Sequence, residues 1–403
     1  MSERYTIISA DTHAGGSHAQ YREHLDPAYH DEFDAWRGRY KNPFKDLRDT
    51  SDRIRNWDSE RRWGDMERDG VVAEVIFPNT IPPFFPSFVL FAPPPAAGDE
   101  YARRRAGIQA HNRWMADFVA ECPERRGGIG QIFVNDLDDA VEDARWIKDH
   151  DLRGGVLLPN FGPDITWLKP YFDRSYDPLW AALQDLDIPI NLHGGTGSPV
   201  YGDPFGVGGL VQLSEVTFYS QRPLVHMLLG GVFERFPRLK VVITELGCWW
   251  VPELLTKLDT IIGNLRGGTT GELRFAEGTV TPMLPSEYFA RNCWIGASQP
   301  RVVDAEAGRT LPADRFMWGN DYPHDEGTYP FTRETLRVAF EGAPEAEMRA
   351  VLAGNAAKLY GFDLDKLAPL AAQHGPTVAE IAEPLRAMPE SPNQALRFAN
   401  APR

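Results

Sequence analysis

Residues 5–16 read YTIISADTHAGG. Tyr5 to Ala10 has the apolar character of a short buried strand. It runs directly into Asp11, Thr12 and His13, and then into two glycines. Alternate strand residues point the same way, so Asp11 and His13 project together where the chain turns. A pair of this kind also suits a simple turn cap. Its meaning depends on what the other strand ends carry.

Seven further apolar runs follow: Val71–Phe77, Gly128–Val134, Gly155–Leu158, Ile188–Leu192, Lys240–Thr244, Asn292–Gly296 and Phe316–Gly319. Most lack polar alternation, as strands covered on both faces do. Helical patterns near 100–120, 137–149, 176–186, 215–235, 250–263, 301–308 and 330–341 separate them. Alternating strand and helix predicts an α/β fold, and eight such units predict a (β/α)8 TIM barrel over residues 1–362. A long insertion after strand 1, residues 14–66, holds Trp36, Phe44, Trp57 and Trp63 and is expected to form a cap on the active-site face. The Pro- and Phe-rich loop after strand 2, PNTIPPFFPSFVLFAPPPAAG (78–98), leaves from the same face. Residues 363–403 form a C-terminal extension, expected as an arm over a neighbouring subunit or a surface wrap.

The chain has 403 residues, 42% of them hydrophobic, and a formal net charge of −15. That charge argues against a nucleic-acid partner, whose usual footprint is a basic patch. Cys122, Cys248 and Cys293 lie far apart and form neither a disulfide framework nor a metal motif. No apolar leader or membrane-length run is evident. The expectation is a soluble cytoplasmic protein with a small-molecule substrate.

Chemistry in such a barrel sits at the C-terminal strand ends. Strand 1 supplies Asp11 and His13, strand 5 His193, strand 6 Glu245, and strand 8 Asp321 and His324. Strands 2, 3 and 4 end in Asn79, Asn135 and Asn160, which read as turn residues. Two imidazoles and two carboxylates (Asp11, His13, His193 and Asp321) make a candidate site for one divalent transition metal, with zinc the first expectation and manganese and iron also compatible. Glu245 or His324 is then placed to shuttle protons. Taken singly, each has a plainer reading: a core histidine, a turn cap, an ion pair with arginine. His226 reads as helix packing, and nothing selects among His18, His24 and His30 in the cap.

The ordered set DTH, HGG, MLLGGVFERFPRLKVVITELG and WGNDYPH resembles the amidohydrolase superfamily, and within it the branch that includes the aminocarboxymuconate-semialdehyde decarboxylase type. The resemblance covers residues 5–362. It implies a barrel with one divalent metal held by Asp11, His13, His193 and Asp321. No strand-4 lysine is present to bridge a second metal. Two departures stand out. Asp11 occupies a position that is His or Glu in many relatives. Glu245 stands where decarboxylases of the branch carry a histidine. The first expectation is therefore a metal-dependent hydrolase acting on a small carbonyl or carboxylate compound, aromatic ones included. Metal-activated water would attack the carbonyl, Asp321 would take the water's proton, and Glu245 or His324 would protonate the leaving group. The alternative is a non-oxidative decarboxylase in the same site, with a hydratase third and a binding barrel without chemistry the reading from another class. Arg61, Arg62 and Arg68 are the candidates for a substrate-carboxylate arginine. A homo-oligomer is expected.

Overall fold

In the computed structural model, eight parallel strands follow one another around a single sheet in chain order. They are β1 (Ile8–Ala14), β2 (Ala73–Pro78), β3 (Arg126–Gln131), β4 (Gly155–Leu157), β5 (Ile190–His193), β6 (Val241–Thr244), β7 (Cys293–Ser298) and β8 (Phe316–Gly319). Residues just past β8 pair with β1 and close the ring: Asp321 N donates to Asp11 O at 3.0 Å and His13 N to Tyr322 O at 2.7 Å. The architecture is the (β/α)8 barrel expected from the alternating pattern. The structure describes residues 3–41, 51–87, 92–199, 201–202, 206–269, 271–276 and 278–399. Phe44 in the insertion, part of the loop after β2, and the last four residues of the C-terminal extension lie outside them.

The strands are covered on both faces, which is why their sequences lack alternation. One face packs under the surrounding helices through residues such as Ile76, Val156, Leu192, Val241 and Ile243. The other fills the barrel with Ile8, Ala10, Val75, Phe77, Ile129, Leu157, Val242 and Met317. Ala353, Ala356, Tyr360, Phe362 and Leu367 continue that inner cluster. Asn355 Nδ2 donates to Phe316 O, at the first residue of β8, at 2.8 Å. These residues therefore stopper the end at which the strands begin, and the other end is left for chemistry.

β1 extends further than its apolar run. It continues through Asp11 and His13 to Ala14, and both polar side chains face the interior while the backbone still pairs with β2. The register with β2 slips between Ser9 and Thr12. Ala10 faces the barrel, and strict alternation would turn Asp11 outward. The slip turns Asp11 inward beside His13, while Thr12 reaches outward to donate to Glu74 Oε2 at 2.8 Å.

The insertion between β1 and β2 carries the helices His18–His24, His30–Arg39 and Ser59–Arg68. Ser17 caps the first of them in a reciprocal box with Gln20. Residues 363–399 fold back onto their own barrel. Tyr5 N donates to Pro376 O and Val378 N to Glu3 O, both at 2.9 Å, and Arg4 bridges to Thr377. Asn393 Nδ2 donates to the carbonyl oxygens of Gly327, Thr328 and Tyr329.

Candidate metal centre and active site

The strand-end residues singled out in the sequence converge at the open end. His13 Nε2 lies 3.5 Å from Asp11 Oδ1 and 3.3 Å from Asp321 Oδ1. His193 Nε2 lies 3.6 Å from Asp11 Oδ1 and 3.1 Å from Glu245 Oε2. His324 Nδ1 is 2.8 Å from Asp321 Oδ1, and its ring lies 4.1 Å from that of His13. Asp11, His13, His193 and Glu245 each offer an atom within 4.8 Å of the others. Asp321 enters two overlapping groups, with His13 and His324, and with Glu245 and Glu326. Glu245 is thus as close to the cluster as any of the four expected ligands.

In this cluster Asp11 Oδ1, His193 Nε2, Asp321 Oδ1, His324 Nδ1 and both ring nitrogens of His13 are buried and make no hydrogen bond. Unpaired polar atoms at zero exposure are costly, and natural proteins rarely keep them without a partner. Here the free atoms face one another, while the far atoms of three of these residues are tied. Ser298 Oγ donates to Asp11 Oδ2. Gln299 Nε2 lies 3.1 Å from Asp321 Oδ2. His193 Nδ1 donates to Gly194 O at 2.9 Å, which fixes a proton on Nδ1 and turns Nε2 toward the other free atoms. Lone pairs aimed at one point, with the outer atoms anchored, is an arrangement suited to a cation.

The backbone is shaped for this purpose. Glu245, Gln299 and Asp321 follow directly on or close behind β6, β7 and β8, and adopt left-handed φ values of 58°, 42° and 59°. Such conformations cost about 1–3 kcal/mol each and gather at functional sites. Two glycines permit close approach. A Cβ on Gly319 would lie 2.7 Å from Asp11 Cβ, and one on Gly194 would lie 2.4 Å from Glu245 O. The glycine of "HGG" therefore serves strand packing.

Charge follows the geometry. Burial, with help from His324, lowers His13 to about 4, so its imidazole is neutral. Burial opposes ionisation of Asp321, but the His324 and His13 rings outweigh it and hold the carboxyl far below its usual range. Burial raises Glu245 to about 8, with the Asp321 and Asp11 carboxylates adding to it and His193 opposing. Burial lowers the pKa of His324, yet Asp321 and its acidic neighbours bring it up to about 10. The centre thus combines a fixed carboxylate, a neutral imidazole and a carboxyl that carries a proton near neutrality.

Several residues take places that the sequence did not indicate. Ser298 and Gln299 had not been singled out, although a polar pair ending the seventh strand was the available signal. Asn79 is more than a turn residue: its Nδ2 donates to Asn56 Oδ1 at 2.7 Å and lies 3.5 Å from His324 Nε2. Phe77 sits with its ring 4.5 Å from His193. The three candidate arginines are committed elsewhere. Arg62 is fully buried against Glu74 and the His13 carbonyl, and both Arg61 and Arg68 pair with Asp65. The cap histidines hold structure: His18 meets Ile81 O, His24 pairs with Asp117, and His30 meets Leu25 O. Among the described residues no helix is long and apolar enough to cross a membrane.

Several known proteins are similar to this chain. The gamma-resorcylate decarboxylase of Polaromonas sp. is 26% identical over 252 residues, 59% of this chain and 72% of that protein. The 2-amino-3-carboxymuconate-6-semialdehyde decarboxylase of Dictyostelium discoideum is 25% identical over 319 residues, 77% of this chain and 78% of that one. A solved dihydroxybenzoic acid decarboxylase from Polaromonas sp., with bound manganese and 2-nitroresorcinol, superposes with a TM-score of 0.63 at 18% identity, over 90% of this chain and 98% of that chain. These relatives favour the decarboxylase alternative over the hydrolysis put first from the sequence. The amidohydrolase family model matches residues 24–362. A barrel whose strand ends aim carboxylates and imidazoles at one point, matched over that span, makes this chain an enzyme of the amidohydrolase family.

Proposed function

We propose that this enzyme is a metal-dependent, non-oxidative decarboxylase of a small aromatic or unsaturated acid. The observation that carries the reading is the set of unpaired buried atoms on Asp11, His13, His193 and Asp321. Their mixture of carboxylate oxygen and imidazole nitrogen fits one divalent metal, and manganese and zinc are both accepted by such a set. Bound there, the ion supplies positive charge that anchors an acidic substrate and offsets the negative charge of the site.

The chain's own residues supply the rest. Phe77 offers a flat apolar surface beside His193 for a planar substrate. Glu245, with Oε2 3.1 Å from His193 Nε2 at the edge of the centre, is the proton carrier. It passes a proton to the ring carbon bearing the carboxylate. The bond from that carbon to the carboxylate then breaks, carbon dioxide leaves, and the electron pair restores the unsaturated system. About a quarter of the Glu245 side chain stays open to solvent, from which it regains a proton. His324, paired to Asp321, is the second proton carrier. Glu245 would thus fill the role that relatives of the branch give to histidine.

The test is turnover of hydroxylated benzoates by the manganese- or zinc-loaded protein in heavy water. Decarboxylation releases carbon dioxide and leaves one deuteron on the ring. Incorporation of solvent oxygen without carbon dioxide would return the reading to hydrolysis.

We also infer that the chain forms a homo-oligomer. Val207, Leu210, Leu213 and Phe218, on the helix Val207–Leu229, are 65–76% exposed, and that apolar face supports association between copies.

A further inference from the structure

A cavity lies at the open end of the barrel, between the ends of β3 and β4 and the helix Asp99–Ala120. Its walls include Phe85, Ile108, Phe133, Leu157, Asn160 and Thr196, together with Arg104 and Gln131. It borders the metal centre, since Thr196 Oγ1 donates to His193 O at 2.7 Å.

Two polar side chains in this cavity keep polar atoms without a hydrogen bond. The Arg104 side chain is 3% exposed. Its Nη1 reaches Glu100 Oε1 at 3.3 Å, while Nε and Nη2 make no hydrogen bond. The guanidinium lies 4.3 Å from the Phe85 ring and 5.6 Å from that of Phe133. Burial lowers its pKa to about 10, so it stays charged at neutral pH. Gln131 is 2% exposed, and neither Oε1 nor Nε2 is hydrogen-bonded. Its backbone is gripped on both sides by Asn112, at 2.8 and 2.9 Å. Gln131 stands two residues beyond Ile129, which faces the barrel interior, so its side chain points the same way.

A buried guanidinium with two open donors is expensive unless an anion arrives to meet them. Its planar fork suits a carboxylate taken by two parallel hydrogen bonds. The walls beside it are flat and apolar: Phe85 and Phe133 lie stacked at 6.1 Å and 13°. We propose that Arg104 and Gln131 form a second anion-recognising subsite, which selects planar acids carrying a further acidic oxygen group on the side away from the metal. This rests on the proposed function for the identity of the reacting group, and on the cavity alone for binding.

The test uses isophthalate, a rigid planar dianion, and benzoate as probes in titration calorimetry of the metal-loaded full chain. Wild type should prefer isophthalate. Arg104→Met should weaken isophthalate binding by roughly 10- to 100-fold, the weight of hydrogen bonds to a charged group, and collapse its preference over benzoate. Arg104→Lys, which keeps the charge without the fork, should fall between. Gln131→Met should lower the same preference and serves if Arg104→Met fails to fold. Equal losses for both probes, no loss, or wild type indifferent between them would overturn the proposal. Absence of carbon dioxide release from hydroxylated benzoates, with isophthalate selectivity intact, would instead overturn the decarboxylase reading and leave the subsite standing.

Discussion

Ser298 shows how much a single hydroxyl can decide. Its hydrogen bond holds one Asp11 oxygen and leaves the other free. Ser298→Ala should weaken metal affinity by about 10- to 100-fold, as lost outer partners of ligands commonly do, with little change in melting temperature. Titrating metal into the stripped variant measures this. Asp321→Asn should keep the fold and abolish turnover, and unchanged turnover would remove Asp321 from the site. Glu245→Gln keeps shape but cannot carry a proton; it should retain metal and lose about 10²-fold or more in kcat. Asp11, His13, His193, Glu245, Asp321 and His324 were legible in the sequence because charged residues ending apolar runs are conspicuous. Ser298 and Gln299 were not, since neutral polar residues ending a strand look like ordinary turn formers. Arg104 sits in "ARRRAG", where nothing marks which arginine turns inward.

Between β2, β3 and the helix Ser59–Arg68, Glu74 takes Arg62 Nε at 2.9 Å and lies 3.5 Å from Arg126 Nε, all with zero exposure. Arg62 also donates to His13 O at 2.8 Å, so this cluster carries the strand that presents His13. Glu74→Gln should destabilise the fold by about 3–5 kcal/mol, read from urea unfolding, because it strands buried guanidinium charge. A second latch joins the end of the same helix to the helix Thr332–Ala339. There Asp69 accepts from Thr332 N at 3.2 Å and from Thr332 Oγ1. Burial raises Asp69 to about 7, well above the unfolded value of about 3.9. A carboxyl raised in the folded state favours folding while protonated. Its contribution is complete below about pH 4 and declines as pH rises to about 7. Unfolding free energies at pH 5 and 8 should therefore differ more in wild type than in Asp69→Asn. All eight strands were legible as buried apolar runs. The slip in β1 was not, because register depends on the partner strand and apolar content does not encode it.

The solvent-facing apolar residues of the helix Val207–Leu229 bear on the molecule in solution. Light scattering should return at least twice the chain mass, and Leu210→Glu with Phe218→Glu should reduce it to one. The insertion after β1 and the C-terminal segment were legible as stretches too long for barrel loops, but where they dock was not, because their contacts are distant in sequence. The return of the C-terminal segment to Glu3 and Tyr5 has a consequence for biosynthesis. The ribosome makes Asp11 and His13 before every other strand, yet β1 lacks its second neighbour until Asp321 has emerged, and its lead-in is not tied until Val378 follows. Contacts so far apart in the chain form slowly and late. The nascent polypeptide therefore carries an incomplete set of candidate ligands until β8 is made, and metal acquisition is expected only after that strand has closed the ring.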